Sequence, residues 1–101
     1  NETMAEKILC QIRLQEYGYP DLETVAKNLN VSARTLRRKL ASEGTSFQAI
    51  VSEALKEKAI NLLVETNLSV EKIAEQIGYS DTANFYHAFK RWTGKTPSEY
   101  R

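Results

Sequence analysis

The chain contains one pattern twice, as LETVAKNLNVSARTLRRKL at residues 22–40 and as VEKIAEQIGYSDTANFYHAF at residues 70–89. Each copy predicts a short helix, a turn of three to four residues and a second helix. The matching positions are Leu22, Val25, Ala26, Leu29, Val31 and Ser32 with Val70, Ile73, Ala74, Ile77, Tyr79 and Ser80, 48 residues later, and Leu36 and Leu40 with Phe85 and Phe89, 49 residues later. The change of offset indicates one extra turn residue in the second copy. This is the helix-turn-helix pattern, whose second helix lies in the major groove of DNA.

Helical spacing continues on both sides of the repeat. Met4, Ile8 and Ile12 predict a first helix over about residues 3–16. A long amphipathic helix of about 20 residues follows the N-cap Ser46, and Leu55 and Leu62 are expected on the stripe that joins the two copies. Further N-caps are expected at Asp21, Ser32, Ser69, Asp81 and Thr96. No segment shows strand periodicity, so the predicted fold class is all-α.

The long helix also sets a geometric expectation. At 1.5 Å per residue, about 20 residues span about 30 Å. Successive major grooves on one face of B-DNA are roughly 34 Å apart. One monomer could therefore place both second helices on the same side of a duplex.

Composition excludes several functions. The 101 residues are 42% hydrophobic, which permits a packed core. Cys10 is the single cysteine and His87 the single histidine, so we expect no disulfide, no metal site, no cofactor and no catalytic residue. With a single cysteine, a reducing cytoplasmic compartment is expected. No apolar run is long enough for a membrane span. Because the first residue is Asn1 rather than methionine, we also expect the chain to be part of a longer protein.

The positive charge is concentrated in two places. The net charge is only +1, but residues 32–45 carry four basic and one acidic side chain, and residues 80–101 carry four and two. Two basic patches about 50 residues apart could bind phosphate at two places. The alternative is a chance clustering of solvated helix faces.

The second helix of the first copy presents arginines. A helical wheel places Leu36 and Leu40 inward and Arg34, Arg37 and Arg38 on the opposite face, with Lys39 beside it. Arginine matches the O6 and N7 acceptors of guanine, so this face is expected to contact bases as well as phosphates. The alternative is an arginine stripe that is merely solvated or contacts phosphates alone.

The corresponding helix of the second copy has a different outward face. Ala83, Asn84 and His87 point outward, flanked by Tyr86 and Lys90 on one side and by Arg91 on the other. Asn84 could pair with adenine, Ala83 could contact a thymine methyl group, and His87 could donate to a base or a phosphate. A histidine without function at this surface remains the alternative. With fewer charges, this helix is expected to bind DNA less tightly than the first.

The C-terminal third resembles a known family. Ala74-x-x-x-Gly78-Tyr79-Ser80-Asp81, followed by Phe85-x-x-x-Phe89-Lys90-Arg91-Trp92-x-Gly94-x-Thr96-Pro97-x-x-Tyr100-Arg101, resembles the C-terminal signature of the AraC/XylS regulators. The resemblance covers about residues 3–101. It implies seven helices forming two homeodomain-like helix-turn-helix subdomains on a central helix. It also implies base reading by the same six outward residues, although many members carry arginine where this chain has His87.

The resulting expectation is a bacterial transcription regulator that binds double-stranded DNA. The expected subdomains are residues 1–45 and 67–101, joined by a linker helix over 46–66. The expected phosphate contacts are Ser32, Thr35, Lys39, Ser46, Tyr86, Lys90 and Arg91. The segment over residues 32–47 resembles the branch with an N-terminal sensor domain, through which an effector and dimerisation would act; RNA polymerase is a further candidate partner. The alternatives are a stand-alone short activator, a nonspecific architectural DNA binder and a helical protein-interaction domain.

Overall fold

The computed structural model describes residues 2–16 and 18–101, and these residues form seven helices and no strand. The helices are α1 (Met4–Leu14), α2 (Leu22–Asn28), α3 (Ala33–Ser42), α4 (Phe47–Glu65), α5 (Val70–Gln76), α6 (Thr82–Thr93) and α7 (Pro97–Tyr100). The predicted all-α fold is confirmed: α2–α3 and α5–α6 are the two helix-turn-helix units, and α4 joins them. Asn1 and Tyr17, which belong to the predicted range 1–45, lie outside the described residues.

Each helix begins after a residue whose side-chain oxygen accepts a backbone N–H of the first turn. These N-caps are Thr3, Asp21, Ser32, Ser46, Ser69, Asp81 and Thr96. A short polar side chain at this position satisfies an amide that has no partner within the helix. The six N-caps predicted from the sequence are confirmed. The first helix is shorter than expected, because Thr3 is its N-cap and the backbone at Gln15 is extended.

The two turns have equivalent geometry. Asn30 in the first turn and Gly78 in the second both have a positive φ, of 59° and 103°. Val31 then donates its amide to the carbonyl of Ala26, and Tyr79 donates to the carbonyl of Ala74. Since the next N-caps are Ser32 and Asp81, the second turn holds one more residue, as the change of offset predicted.

Helix α4 is the centre of the core. It packs against α1 from the first half of the chain and against α5, α6 and α7 from the second. Leu55 and Leu63 are each only 2% exposed. Leu62, the other leucine expected on this stripe, is half-buried and packs against the edge of the core.

Two side chains connect helix ends that are distant in sequence. The Glu43 carboxylate, at the end of α3, accepts the first amides of α1 from Met4 at 2.9 Å and Ala5 at 3.0 Å. The Arg101 guanidinium donates to the carbonyl oxygens of Leu63 and Thr66, both at 3.1 Å, where α4 ends. Both contacts satisfy backbone groups that a helix terminus leaves without an intrahelical partner.

Candidate nucleic-acid interface

Helix α3 has one buried face and one cationic face. Leu36 and Leu40 are fully buried, whereas Arg34, Arg37 and Arg38 are exposed. The capping bond from the Thr35 amide to Ser32 Oγ starts the helix, and the two buried leucines fix its rotation. Because side chains three and four residues apart share a helix face, the three arginines project together into solvent.

The cations of this face form no ion pair within the part of the chain that the structure describes. Arg34, Arg37, Arg38 and Lys39 make no ion pair with any carboxylate of residues 2–16 and 18–101. In contrast, Arg13 pairs with Glu57 at 3.0 Å on the body of the protein. A set of exposed, unpaired guanidinium groups can bind phosphate or guanine without first breaking an internal contact.

The end of α3 and the start of α4 border one depression. Arg37 and Ser46 both line it, together with Thr45 and Gln48. The first residues of α4 also line this depression, and the N-terminus of a helix favours binding of an anion. Thr45 and Gln48, which line the same depression, are not among the contacts predicted from the sequence; the signal that could have pointed to them is their place within two residues of the N-cap Ser46.

Three of the expected phosphate ligands already make hydrogen bonds within the chain. Ser32 Oγ accepts the amide of Thr35 and donates to Thr35 Oγ1 at 2.9 Å, while Ser46 Oγ accepts the amide of Ala49 at 3.1 Å. Thr35 is also half-buried. These hydroxyl groups border the cationic face, but their first role is to start α3 and α4.

Helix α6 repeats the arrangement with different chemistry. Phe85 and Phe89 are fully buried, and Ala83, Asn84 and His87 are exposed on the other side. The rings of Tyr79, Phe85, Phe89, Trp92 and Tyr100 pack against one another with centroids 5.4 to 6.4 Å apart. This aromatic cluster holds α6 and α7 together and turns Asn84 and His87 outward.

The flanking residues of α6 lie close to other protein groups. Tyr86 is half-buried, and Lys90 and Arg91 are exposed. The pKa of Glu99 is lowered mainly by hydrogen bonding from Thr96, and the charges of Lys90 and Lys95 lower it further. Burial raises the pKa of Tyr79, Tyr19 adds to the rise, and Arg91 opposes it. Lys90 therefore lies near the Glu99 carboxylate, whereas no ion pair among the described residues involves the cations of α3.

No group of three or more His, Cys, Asp or Glu side chains among the described residues could hold a metal ion. None of the helices that these residues form has both the length and the apolar character that crossing a bilayer requires.

The two cationic helix-turn-helix units match known proteins. A family model for a helix-turn-helix domain matches residues 25–101. The chain belongs to the AraC/XylS family of transcription regulators. The expectation drawn from the C-terminal signature is confirmed, and the family's two-unit helical fold is the one seen here.

Individual relatives agree with this assignment. The HTH-type transcriptional regulator VqsM of Pseudomonas aeruginosa is 49% identical over 83 residues, which are 82% of this chain and 26% of VqsM. The crystal structure of the regulator CdpR from the same species has a TM-score of 0.90 at 38% identity, covering 96% of this chain and 31% of CdpR. A DNA-binding transcriptional dual regulator from Escherichia coli has a TM-score of 0.92 at 27% identity, covering 99% and 90%. The chain thus spans about a quarter of the length of VqsM.

Proposed function

We propose that this AraC/XylS-family domain binds double-stranded DNA sequence-specifically and regulates bacterial transcription, with α3 and α6 in adjacent major grooves. The observation that carries the proposal is the exposed, unpaired arginine face of α3 on a helix-turn-helix unit. The second unit supports the proposal, because α4 joins it to the first unit. This helix has 19 residues and is about 28 Å long. The units that act on DNA would be residues 1–45 and 67–101, with 46–66 as the linker.

The proposed base contacts come from both exposed faces. They are Arg34, Arg37 and Arg38 in α3, and Ala83, Asn84 and His87 in α6. The proposed phosphate contacts are Ser32, Thr35, Lys39, Ser46, Tyr86, Lys90 and Arg91. The E. coli regulator, at 27% identity, is itself described as DNA-binding, which supports the same role here.

Selection of duplexes from a random pool tests this function. Specific regulators bind their own sites about 10³- to 10⁷-fold more tightly than unrelated DNA. We expect the pool to converge on one bipartite sequence. Tight binding without convergence would favour an architectural protein, and no retention of DNA at low salt would favour a protein-interaction domain.

We further propose that the domain works within a larger, cytoplasmic regulator. The support is that VqsM and CdpR are about three to four times longer than the matched segment. An effector and dimer contacts would then act through an N-terminal domain, and RNA polymerase is a candidate partner at promoters. This chain covers 90% of the E. coli regulator. A short stand-alone activator is therefore the second candidate. Mass measurement of the native protein from its host distinguishes the two.

A further inference from the structure

The two helix-turn-helix units meet at a point away from the core of α4. The segment after α1 reaches the turn of the second unit, where the Gly18 amide donates to the carbonyl oxygen of Gln76 at 2.8 Å. Gln76 is the last residue of α5, and the turn that follows leads into α6. This hydrogen bond therefore connects the first unit to the segment that positions the second unit's DNA-facing helix.

The two backbones approach so closely that a side chain at residue 78 would be tightly packed against Gly18. A Cβ atom added to Gly78 would lie 3.1 Å from the Cα atom of Gly18 and 3.9 Å from two ring carbons of Tyr19. The atom on the other side is backbone, which cannot rotate away as a flexible side chain could. Gly78 also has a φ of 103°, and Gly18 has a φ of 65°, so glycine suits both positions for conformation as well.

The end of α1 is anchored to α4 beside the same contact. Lys58 Nζ donates to the carbonyl oxygen of Gln15, and Arg13 pairs with Glu57 at 3.0 Å. Both partners from α4 lie in its middle. The chain is therefore attached to the central helix at Arg13 and Gln15, a few residues before Gly18.

Helix α4 and the contact between Gly18 and Gly78 are two separate connections between the units. Together they restrict relative motions that α4 alone would permit. A single helix joining two bodies allows them to twist about its axis and to bend at its ends. A second contact, displaced from that axis, opposes both movements. We propose that the Gly18–Gly78 contact is a brace that sets the distance and the relative rotation of α3 and α6, and so selects the spacing between the two halves of the DNA site.

This inference rests on the proposed DNA-binding function and assigns Gly18 and Gly78 as positioning residues. They need not contact DNA. Their effect would be on which spacing is preferred, because a displacement of one base pair also rotates the second half-site by about 35° around the duplex. A residue with a purely structural role would change stability and would leave the preferred spacing unchanged.

The test compares Gly78→Ala with Gly44→Ala. Gly44 also has a positive φ, of 79°, but a Cβ atom there would meet nothing within 4 Å. Both variants place alanine at a positive φ, and only Gly78→Ala adds a tight contact with the backbone of Gly18, at 3.1 Å. Gly18→Ala is a third variant, with its nearest added contact at an ordinary 3.9 Å.

The measurement uses the selected bipartite site with its half-sites moved apart or together by up to three base pairs. We expect the wild type and Gly44→Ala to lose affinity about tenfold when the spacing changes by two base pairs, since the second helix then faces the wrong side of the duplex. For Gly78→Ala we expect the same change to cost about twofold or less, or the optimum to shift by one base pair. An unchanged profile in folded Gly78→Ala, or equal relaxation in Gly44→Ala, overturns the brace.

Hydrogen exchange in the wild type keeps the test decisive if Gly78→Ala does not fold. The Gly18 amide, held by Gln76, should exchange as slowly as the amides of α4, whereas fast exchange overturns the brace. Failure of the proposed function is distinguishable, because the wild type would then show no selected bipartite site at all.

Discussion

At the residue scale, the arginines and the lysine of α3 should contribute to binding in different ways. Arg34, Arg37 and Arg38 lie three and four residues apart on the exposed face, and Lys39 lies beside it. A guanidinium group can form two parallel hydrogen bonds to guanine, whereas an ammonium group acts as a compact charge that any phosphate satisfies. Sequence preference should therefore depend on arginine, and general affinity on both residue types.

We expect Arg37→Ala to weaken binding by about 1–3 kcal/mol and to relax the preference at one base position. Lys39→Ala should weaken binding to all DNA sequences alike, and binding should release about one counterion fewer, which lowers its salt dependence. Titrations of both variants against the selected site and its single-base variants, at several salt concentrations, measure the two effects. Unchanged sequence preference in Arg37→Ala would exclude base reading by this residue.

A single carboxylate at a helix start should give the stability an acid-sensitive component. Asp21 Oδ1 accepts the amide of Thr24 at 2.7 Å, and this bond holds the pKa of Asp21 below its ordinary 3.8. A lowered pKa stabilises the folded state above the unfolded value and loses that contribution as pH falls through the folded value. The loss should therefore occur below about pH 4.

Asp21→Asn tests this contribution, because asparagine caps a helix about as well but carries no charge. We expect the variant to melt below the wild type at pH 7 and the difference to vanish by about pH 2. Glu53→Gln, which removes an exposed carboxylate from the middle of α4, is the matched control and should track the wild type. A difference that is the same at both pH values would show that the charge is not the cause.

At the element scale, α4 belongs to the core and also connects the two units, and two leucines of its apolar stripe differ in burial. Leu55 is 2% exposed, while Leu62 is half-buried at the edge. Truncating a buried leucine removes apolar contacts and leaves a cavity that the surroundings fill only in part. The cost should therefore differ between the two positions, although both fit the same helical spacing.

We expect Leu55→Ala to lower the free energy of unfolding by about 2–5 kcal/mol. Leu62→Ala should cost less than half as much, since part of its side chain already contacts water. Urea unfolding of both variants measures the difference, and their DNA binding should fail in the same order because small domains have about 5–15 kcal/mol of stability. Equal losses would contradict the burial of Leu55.

At the scale of the whole molecule, local patterns were predictable from the sequence and distant contacts were not. The N-caps, the helical class and the buried Leu36 and Phe85 follow from residue type and spacing within a few turns. The deeper burial of Leu63 than of Leu62 was not predictable, because both fit the apolar pattern of α4 and the difference depends on which neighbours pack against that helix. The capping of α1 by Glu43 depends on where separate elements meet, and no local spacing encodes that.

The candidate site was likewise predictable from the sequence only in part. The outward position of the arginines and of Asn84 could be read from a helical wheel, because each helix has a strongly apolar opposite face. The depression that brings Arg37 to the start of α4 could not, since it depends on the turn between the two helices. The nearness of Lys90 to Glu99 likewise requires α7 to fold back beside α6.

The asymmetry of the two units leads to a prediction for the whole complex. The α3 face carries three exposed arginines without ion pairs among the described residues, and the α6 face offers Ala83, Asn84 and His87. Arginine has a permanent charge and two parallel donors, while neutral histidine has one donor. Footprinting should therefore show strong protection over one half of a site of about 20 base pairs and weaker, more sequence-tolerant protection over the other.

Two single substitutions test this unequal division of binding directly. We expect Arg38→Ala to lose more affinity than His87→Ala on one duplex at pH 8, because a guanidinium group has a permanent charge and two parallel donors, which histidine lacks. Titration of both variants and the wild type against the selected site measures the two losses. Equal losses from the two variants would contradict the unequal division of binding between the two units.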